Sequence, residues 1–142
     1  MTDKNLNRIF VYGSLRKAFD HPKHSLLDKN GRLLGVGSCR GNLYEIEWYP
    51  GAVLSHDSSD RVTGEVYVID RNFEMVLDAL DQYEGYSPES PGTSLFIRRT
   101  AIIMLQDGST TESWIYLYNG NTDNFKPILS GDFLKSKGKG KL

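Results

Sequence analysis

Three stretches of this chain combine residue types and spacings that could do chemistry. The first is Val11-Tyr12-Gly13-Ser14-Leu15-Arg16. A glycine at the end of an apolar run lets the backbone turn sharply, so that successive N–H groups point into one concavity and bind carboxylate or phosphate oxygens. Ser14 adds a hydroxyl donor and Arg16 a counter-charge. The plain alternative is an ordinary turn after a strand, and the spacing fits neither a P-loop nor a dinucleotide-binding glycine fingerprint. The second stretch is Leu77-Asp78-Ala79-Leu80-Asp81-Gln82-Tyr83-Glu84-Gly85. On a continuous helix Leu77, Leu80 and Glu84 share one face. Glu84 then stands on a stripe that otherwise meets the core. Desolvation there raises a carboxyl's pKa, which suits a proton shuttle near neutral pH. The alternative is a solvated glutamate at a helix end, and Asp78 and Asp81 are read onto the wet face. The third stretch is Trp114-Ile115-Tyr116-Leu117-Tyr118, whose alternation puts its aromatic rings, Trp114, Tyr116 and Tyr118, on one face. Packing is the usual use of such a face, and a phenol on it can also reach a pocket.

The elements that must hold these residues follow from pattern. Ile9 to Tyr12 reads as a buried strand stopped by Gly13-Ser14, and Arg16 to His24, with Pro22, as a loop. His24 to Leu27 suits a short helix. Arg32 to Ile46 reads as long bent strand, with Gly35, Gly37 and Gly41 where it kinks or another backbone approaches. Tyr49-Pro50-Gly51 is a turn into a short strand at Ala52 to Leu54. Val62 to Ile69 alternates as a strand. Asp70 is placed to cap a helix carrying Phe73, Val76, Leu77 and Leu80 on one stripe and ending before Gly85. Leu95 to Leu105 and Ser113 to Tyr118 are two strands joined across Asp107-Gly108. The class is α+β, with a mixed, barrel-like sheet.

Composition narrows the function. At 142 residues the chain is read as one domain, residues 1–134, followed by a flexible Lys/Gly-rich tail, 135–142. Seventeen Lys+Arg against eighteen Asp+Glu leave a net charge of −1, which gives no general attraction for nucleic acid or anionic membrane. One cysteine, Cys39, and three histidines, His21, His24 and His56, without zinc-site spacing make a metal centre unexpected. No signal core and no run of about 18 apolar residues is present. The expectation is a cytoplasmic monomer without a nucleic-acid or membrane partner.

Taken together, the motifs resemble the gamma-glutamylcyclotransferase-like family, including its short bacterial and plant members and the γ-glutamylamine cyclotransferase branch. Val11-Tyr12-Gly13-Ser14-Leu15 matches the family's V-Y-G-[ST]-L opening, and Lys23-His24-Ser25-Leu26-Leu27 resembles the segment after it. Val62-Thr63-Gly64-Glu65-Val66-Tyr67, the helix end at Glu84-Gly85 and the strand Trp114 to Tyr118 follow in the family's order. The resemblance implies a small mixed β-barrel with one main helix, short flanking helices and one pocket. It implies that Tyr12, Gly13, Ser14 and Leu15 hold the α-carboxylate of a γ-glutamyl substrate, that Glu84 is the acid/base, and, more loosely, that Tyr116 contacts substrate. The implied reaction releases 5-oxoproline and needs no metal or other cofactor. A non-catalytic module that binds a small acid with the same loop is the alternative, and an interaction protein using the aromatic strand is a third.

Overall fold

The apolar run after Arg8 is strand β1, Arg8–Val11, and a closed sheet is laid around it. The computed structural model describes residues 6–140. After β1 come helix α1 (Ser25–Asn30), strands β2 (Gly31–Glu45), β3 (Pro50–Leu54) and β4 (Arg61–Ile69), and the main helix α2 (Phe73–Glu84). Strands β5 (Phe96–Leu105), β6 (Thr110–Tyr118) and the two-residue β7 (Lys126–Pro127) follow, then helix α3 (Phe133–Gly140).

β4 runs antiparallel to β1, with Phe10 opposite Val66, whereas β6 runs parallel to it, with Ile9 opposite Trp114, so the sheet is mixed. β4 also pairs with β2, and β6 with β5. The pairing of Gly37 with Leu105 and Ser38 with Met104 joins β2 to β5 and closes the ring β2-β4-β1-β6-β5. A Cβ on Gly37 would lie 2.7 Å from the Met104 carbonyl oxygen, so closure at this point requires a residue without a side chain. The outcome is a closed five-stranded mixed barrel of the α+β class, with β3 and β7 paired to the far half of β2.

Period-2 alternation sorts the side chains into two buried clusters. Phe10, Tyr12, Val62, Val66, Ile103 and Ile115 belong to one; Ile9, Val11, Tyr67, Ile69 and Tyr116 belong to the other, which α2 covers with Val76 and Leu80. Each such apolar side chain, fully buried, contributes roughly 1.5–3 kcal/mol relative to an exposed one. The stripe on α2 thus seats the helix, and Glu84, its last residue, is carried to the edge of the same cluster.

Two local expectations are corrected. Asp70 does not cap α2: the cap position is Asn72, at φ 54° and without a side-chain cap bond, while the Asp70 carboxylate lies 3.4 Å from Arg32. Asp81 is not on a wet face but 5% exposed, because it lies one turn beyond Leu77 on the buried side. Over the stretch read as a tail, the backbone continues in α3 as far as Gly140; residues 141 and 142 lie outside the described residues. Phe133 anchors the start of α3 by stacking on Phe19 at 5.7 Å, and Asp132 Oδ1 accepts the Lys135 N–H at 3.1 Å.

Candidate active site

The turn leaving β1 is closed by one backbone bond, Arg16 N–H to the Gly13 carbonyl at 3.1 Å. The next amide, Lys17 N–H, goes to Glu65 Oε1 at 3.0 Å. Among the described residues, the amides of Gly13, Ser14 and Leu15 have no protein acceptor. Gly13 is needed here for space rather than for an unusual φ. A Cβ would meet the Pro50 ring at 2.9 Å.

Arg16 is not the counter-charge the sequence suggested. Its guanidinium is buried and donates to Glu65 Oε2 and to Asp132 Oδ1, each at 3.0 Å. Glu65 also accepts from the Tyr67 hydroxyl at 2.9 Å, so the pair fastens the end of the turn to β4. On the other side, His24 Nδ1 lies 2.7 Å from the Leu15 carbonyl oxygen. The turn is therefore held at both ends, while its three amides are left without a protein acceptor.

Helix α2 delivers Tyr83 and Glu84 to the same place. Glu84 has no ion-pair partner among the described residues, and burial against apolar and aromatic neighbours pushes its carboxyl from 4.5 up to about 8. Three residues earlier, the buried Asp81 carboxylate takes a two-pronged donation from Arg98, Nε to Oδ1 at 2.9 Å and Nη2 to Oδ2 at 3.2 Å. The Tyr116 hydroxyl donates to the same Oδ1 at 2.5 Å. Arg98 is itself sandwiched between the rings of Tyr86 and Trp114, at 5.4 and 4.8 Å from their centroids. This buried network ties α2 to β5 and β6, one turn before Glu84.

These pieces enclose a cavity of about 130 Å³. Tyr12, Gly13, Ser14, Leu15, Tyr116 and Glu84, singled out from the sequence, all line it. Their contributions differ. The Tyr12 hydroxyl is engaged inside the protein, donating to the Tyr116 carbonyl at 2.6 Å and accepting the Ala52 N–H at 3.1 Å. The Tyr116 donor is likewise taken by Asp81, so both tyrosines present ring walls rather than free donors. Phe10 and Val11 of β1 line it too, and sequence reasoning missed the walls formed by Trp48, Tyr49 and Pro50, before and at the start of β3, and by Tyr83, Leu95 and Phe96. Tyr49-Pro50 was visible as a turn, but nothing local says that a turn faces a pocket. Tyr83 could have been found from its position beside Glu84.

Among the described residues, no group of three or more His, Cys, Asp or Glu could hold a metal ion. Cys39 is buried in β2, and burial pushes its thiol up to about 11, away from thiolate chemistry. The cavity is lined by three backbone amides without a protein acceptor, a carboxyl that burial raises toward neutral pH, and largely apolar walls. No helix among the described residues is long and apolar enough to cross a membrane.

Comparison with known proteins points the same way. The gamma-glutamylcyclotransferase family protein YtfP of Escherichia coli is 38% identical over 129 residues, covering 89% of this chain and 96% of the relative. The solution structure of E. coli YtfP superposes with a TM-score of 0.60 at 34% identity, covering 92% of this chain and 98% of that one. YkqA of Bacillus subtilis matches with a TM-score of 0.70 at 24% identity over 96% of this chain but 42% of its own, so the present chain spans about two fifths of it. An AIG2-like protein from Mus musculus shares the fold, with a TM-score of 0.66 at 19% identity over 90% of this chain and 88% of the mouse protein. A family profile, "Gamma-glutamyl cyclotransferase, AIG2-like", matches residues 9–135. With nine-tenths of its length in that match, the chain belongs to the AIG2-like gamma-glutamyl cyclotransferase family, and it is a gamma-glutamylcyclotransferase-like enzyme.

Proposed function

We propose that the protein converts a γ-glutamyl amine or γ-glutamyl peptide into 5-oxoproline and the free amine, with Glu84 as acid/base. The observation that carries this reading is a carboxyl without a counter-ion, raised to about 8, in the same small cavity as three unpaired backbone amides. The Gly13, Ser14 and Leu15 amides take the substrate's α-carboxylate. The α-ammonium gives a proton to Glu84, and its freed lone pair attacks the γ-carbonyl carbon. The C–N bond to the leaving amine then breaks as Glu84 returns that proton to its nitrogen, and the second proton shed by the attacking nitrogen as it becomes the ring amide goes to the released amine, which departs as an ammonium. The attack is intramolecular. Well-oriented reactions of that kind reach effective molarities of about 10⁵–10⁸ M, so holding the substrate folded supplies much of the rate. A cavity of about 130 Å³ suits the small γ-glutamyl head, with the leaving amine directed past Trp48 and Leu95, which are 53% and 46% exposed. A lone buried cysteine makes no demand for an oxidising compartment, and the cytoplasm is the proposed location.

The test is 5-oxoproline release from γ-glutamyl dipeptides, γ-glutamylamines and glutathione, with Glu84→Gln alongside. Release that disappears in Glu84→Gln is expected. Thermal stabilisation by these compounds without release from any of them would replace the enzyme with a small-acid-binding module.

A further inference from the structure

Ser14 and Tyr83 both line the cavity, and the Ser14 Oγ lies 2.6 Å from the Tyr83 hydroxyl oxygen. That oxygen in turn lies 3.4 Å from His21 Nε2. Distances alone leave the direction of these bonds open. The other nitrogen of His21 decides it: Nδ1 accepts the Lys23 backbone N–H at 3.0 Å and therefore carries a lone pair. A neutral imidazole with its lone pair on Nδ1 holds its proton on Nε2. His21 Nε2–H then donates to the Tyr83 oxygen, and the phenol proton goes to Ser14 Oγ. The Ser14 proton remains, free to point into the cavity. The imidazole is fixed in this role by its neighbours, stacked on Trp48 at 6.3 Å with 7° between planes and meeting the Tyr83 ring edge-on at 5.1 Å.

We infer that His21 and Tyr83 are positioning residues that turn the Ser14 hydroxyl into the cavity, where it donates to the γ-carbonyl oxygen as negative charge develops there. The inference rests on the γ-glutamyl reading above. The turn's amides serve the α-carboxylate, whereas Tyr83 precedes Glu84 on the same helical turn, so the hydroxyl it orients belongs with the reacting carbonyl. Ser14 is then the catalytic residue of the three. A preset donor of this kind needs no reorganisation as the tetrahedral intermediate forms.

The test is a set of steady-state measurements on the full chain with the best substrate of the panel. Ser14→Ala is expected to lower kcat about 10²-fold with KM changed no more than about twofold, the size expected for one oxyanion donor. Tyr83→Phe should lower kcat about tenfold, and the double variant should be no slower than Ser14→Ala alone, because Tyr83 acts only through Ser14. His21→Ala should follow Tyr83→Phe, and His21→Gln, whose amide N–H can replace Nε2–H, should recover most of the loss. Multiplying losses in the double variant, or losses confined to KM, overturn the relay. Nitrogen-15 NMR of the imidazole judges it without turnover: the Nε2–H tautomer is expected, and Nδ1–H overturns it. If no γ-glutamyl compound is cyclised while the Nε2–H tautomer is found, the γ-glutamyl reading and the role of Ser14 built on it fail, and the hydrogen-bond order alone stands.

Discussion

Replacing Glu84 by Gln should stabilise the fold, and the gain should grow with pH in a way that can be calculated. In the folded protein the Glu84 carboxyl keeps its proton up to about pH 8, while its ordinary value is 4.5. Between those values the unfolded chain binds fewer protons than the folded one, so stability falls as pH rises. Below pH 4.5 both states are protonated and the cost vanishes; above about pH 8 both are ionised and it is complete. At roughly 1.4 kcal/mol per pH unit, the full cost is at most about 5 kcal/mol, and about 3 kcal/mol of it is present at pH 7. Gln has nearly the same shape and does not titrate, so the variant escapes this term. The assay is urea unfolding of both proteins at several pH values from about 4 to 9, taking the difference in unfolding free energy at each. Other titrating groups are common to the two proteins and cancel. The difference should be flat below pH 4.5, climb in favour of Gln, and level off near pH 8. A difference that does not change with pH would refute the claim that the Glu84 carboxylate is desolvated.

The same titration predicts the rate. Glu84 must be ionised in the free enzyme to accept a proton, so kcat/KM should fall tenfold per pH unit below about 8, and a limb near the ordinary 4.5 would show that Glu84 is not the base. Gly13→Val drives a branched side chain into Pro50, whose ring would already lie 2.9 Å from a Cβ. It should abolish thermal stabilisation by γ-glutamyl compounds, and unchanged affinity would remove the turn from the binding site. Glu65→Ala leaves the buried Arg16 Nε, the Lys17 N–H and the Tyr67 hydroxyl without their acceptor, with only Asp132 still holding Arg16, and should cost about 3–5 kcal/mol in urea unfolding; a loss below about 1 kcal/mol would mean that Asp132 alone satisfies the guanidinium.

How much of this was legible in the sequence depends on the range of the interactions involved. Strands such as Val62 to Ile69 were readable because period-2 alternation is local, and so was the end of the main helix at Gly85. Barrel closure through Gly37 and Leu105 was not, because strand register between distant segments leaves no local mark. Within the site, Gly13 and Glu84 could be chosen because a turn residue and a carboxylate on an apolar stripe are each unusual by themselves. Arg16 and Asp81 were misplaced because a charged residue is read as solvated until its partner is known. The partners Glu65 and Arg98 lie 49 and 17 residues away. Trp48 and Tyr49 sit in a turn, where no periodicity assigns a direction.

The two pairings, Arg16 with Glu65 and Arg98 with Asp81, explain how Glu84 keeps its proton affinity. Arg16 and Arg98 lie in the segments that build the cavity, and either guanidinium, turned inward, would hold Glu84 ionised at low pH and leave it a poor proton acceptor. Each is instead bound to a carboxylate of its own, Arg16 to Glu65 and Arg98 to Asp81. Among the described residues lining the cavity, none is Lys, Arg or His, and the rise of Glu84 to about 8 has burial as its cause. In the proposed reaction, the γ-glutamyl head brings the missing cation with it. As its α-ammonium enters beside Glu84, attraction between the two favours the carboxylate, and the base is ionised by the group it must deprotonate. The acid limb of kcat should therefore lie below that of kcat/KM, because the bound substrate lowers the pKa that the empty cavity had raised. Coincident limbs would mean that the ammonium does not reach Glu84.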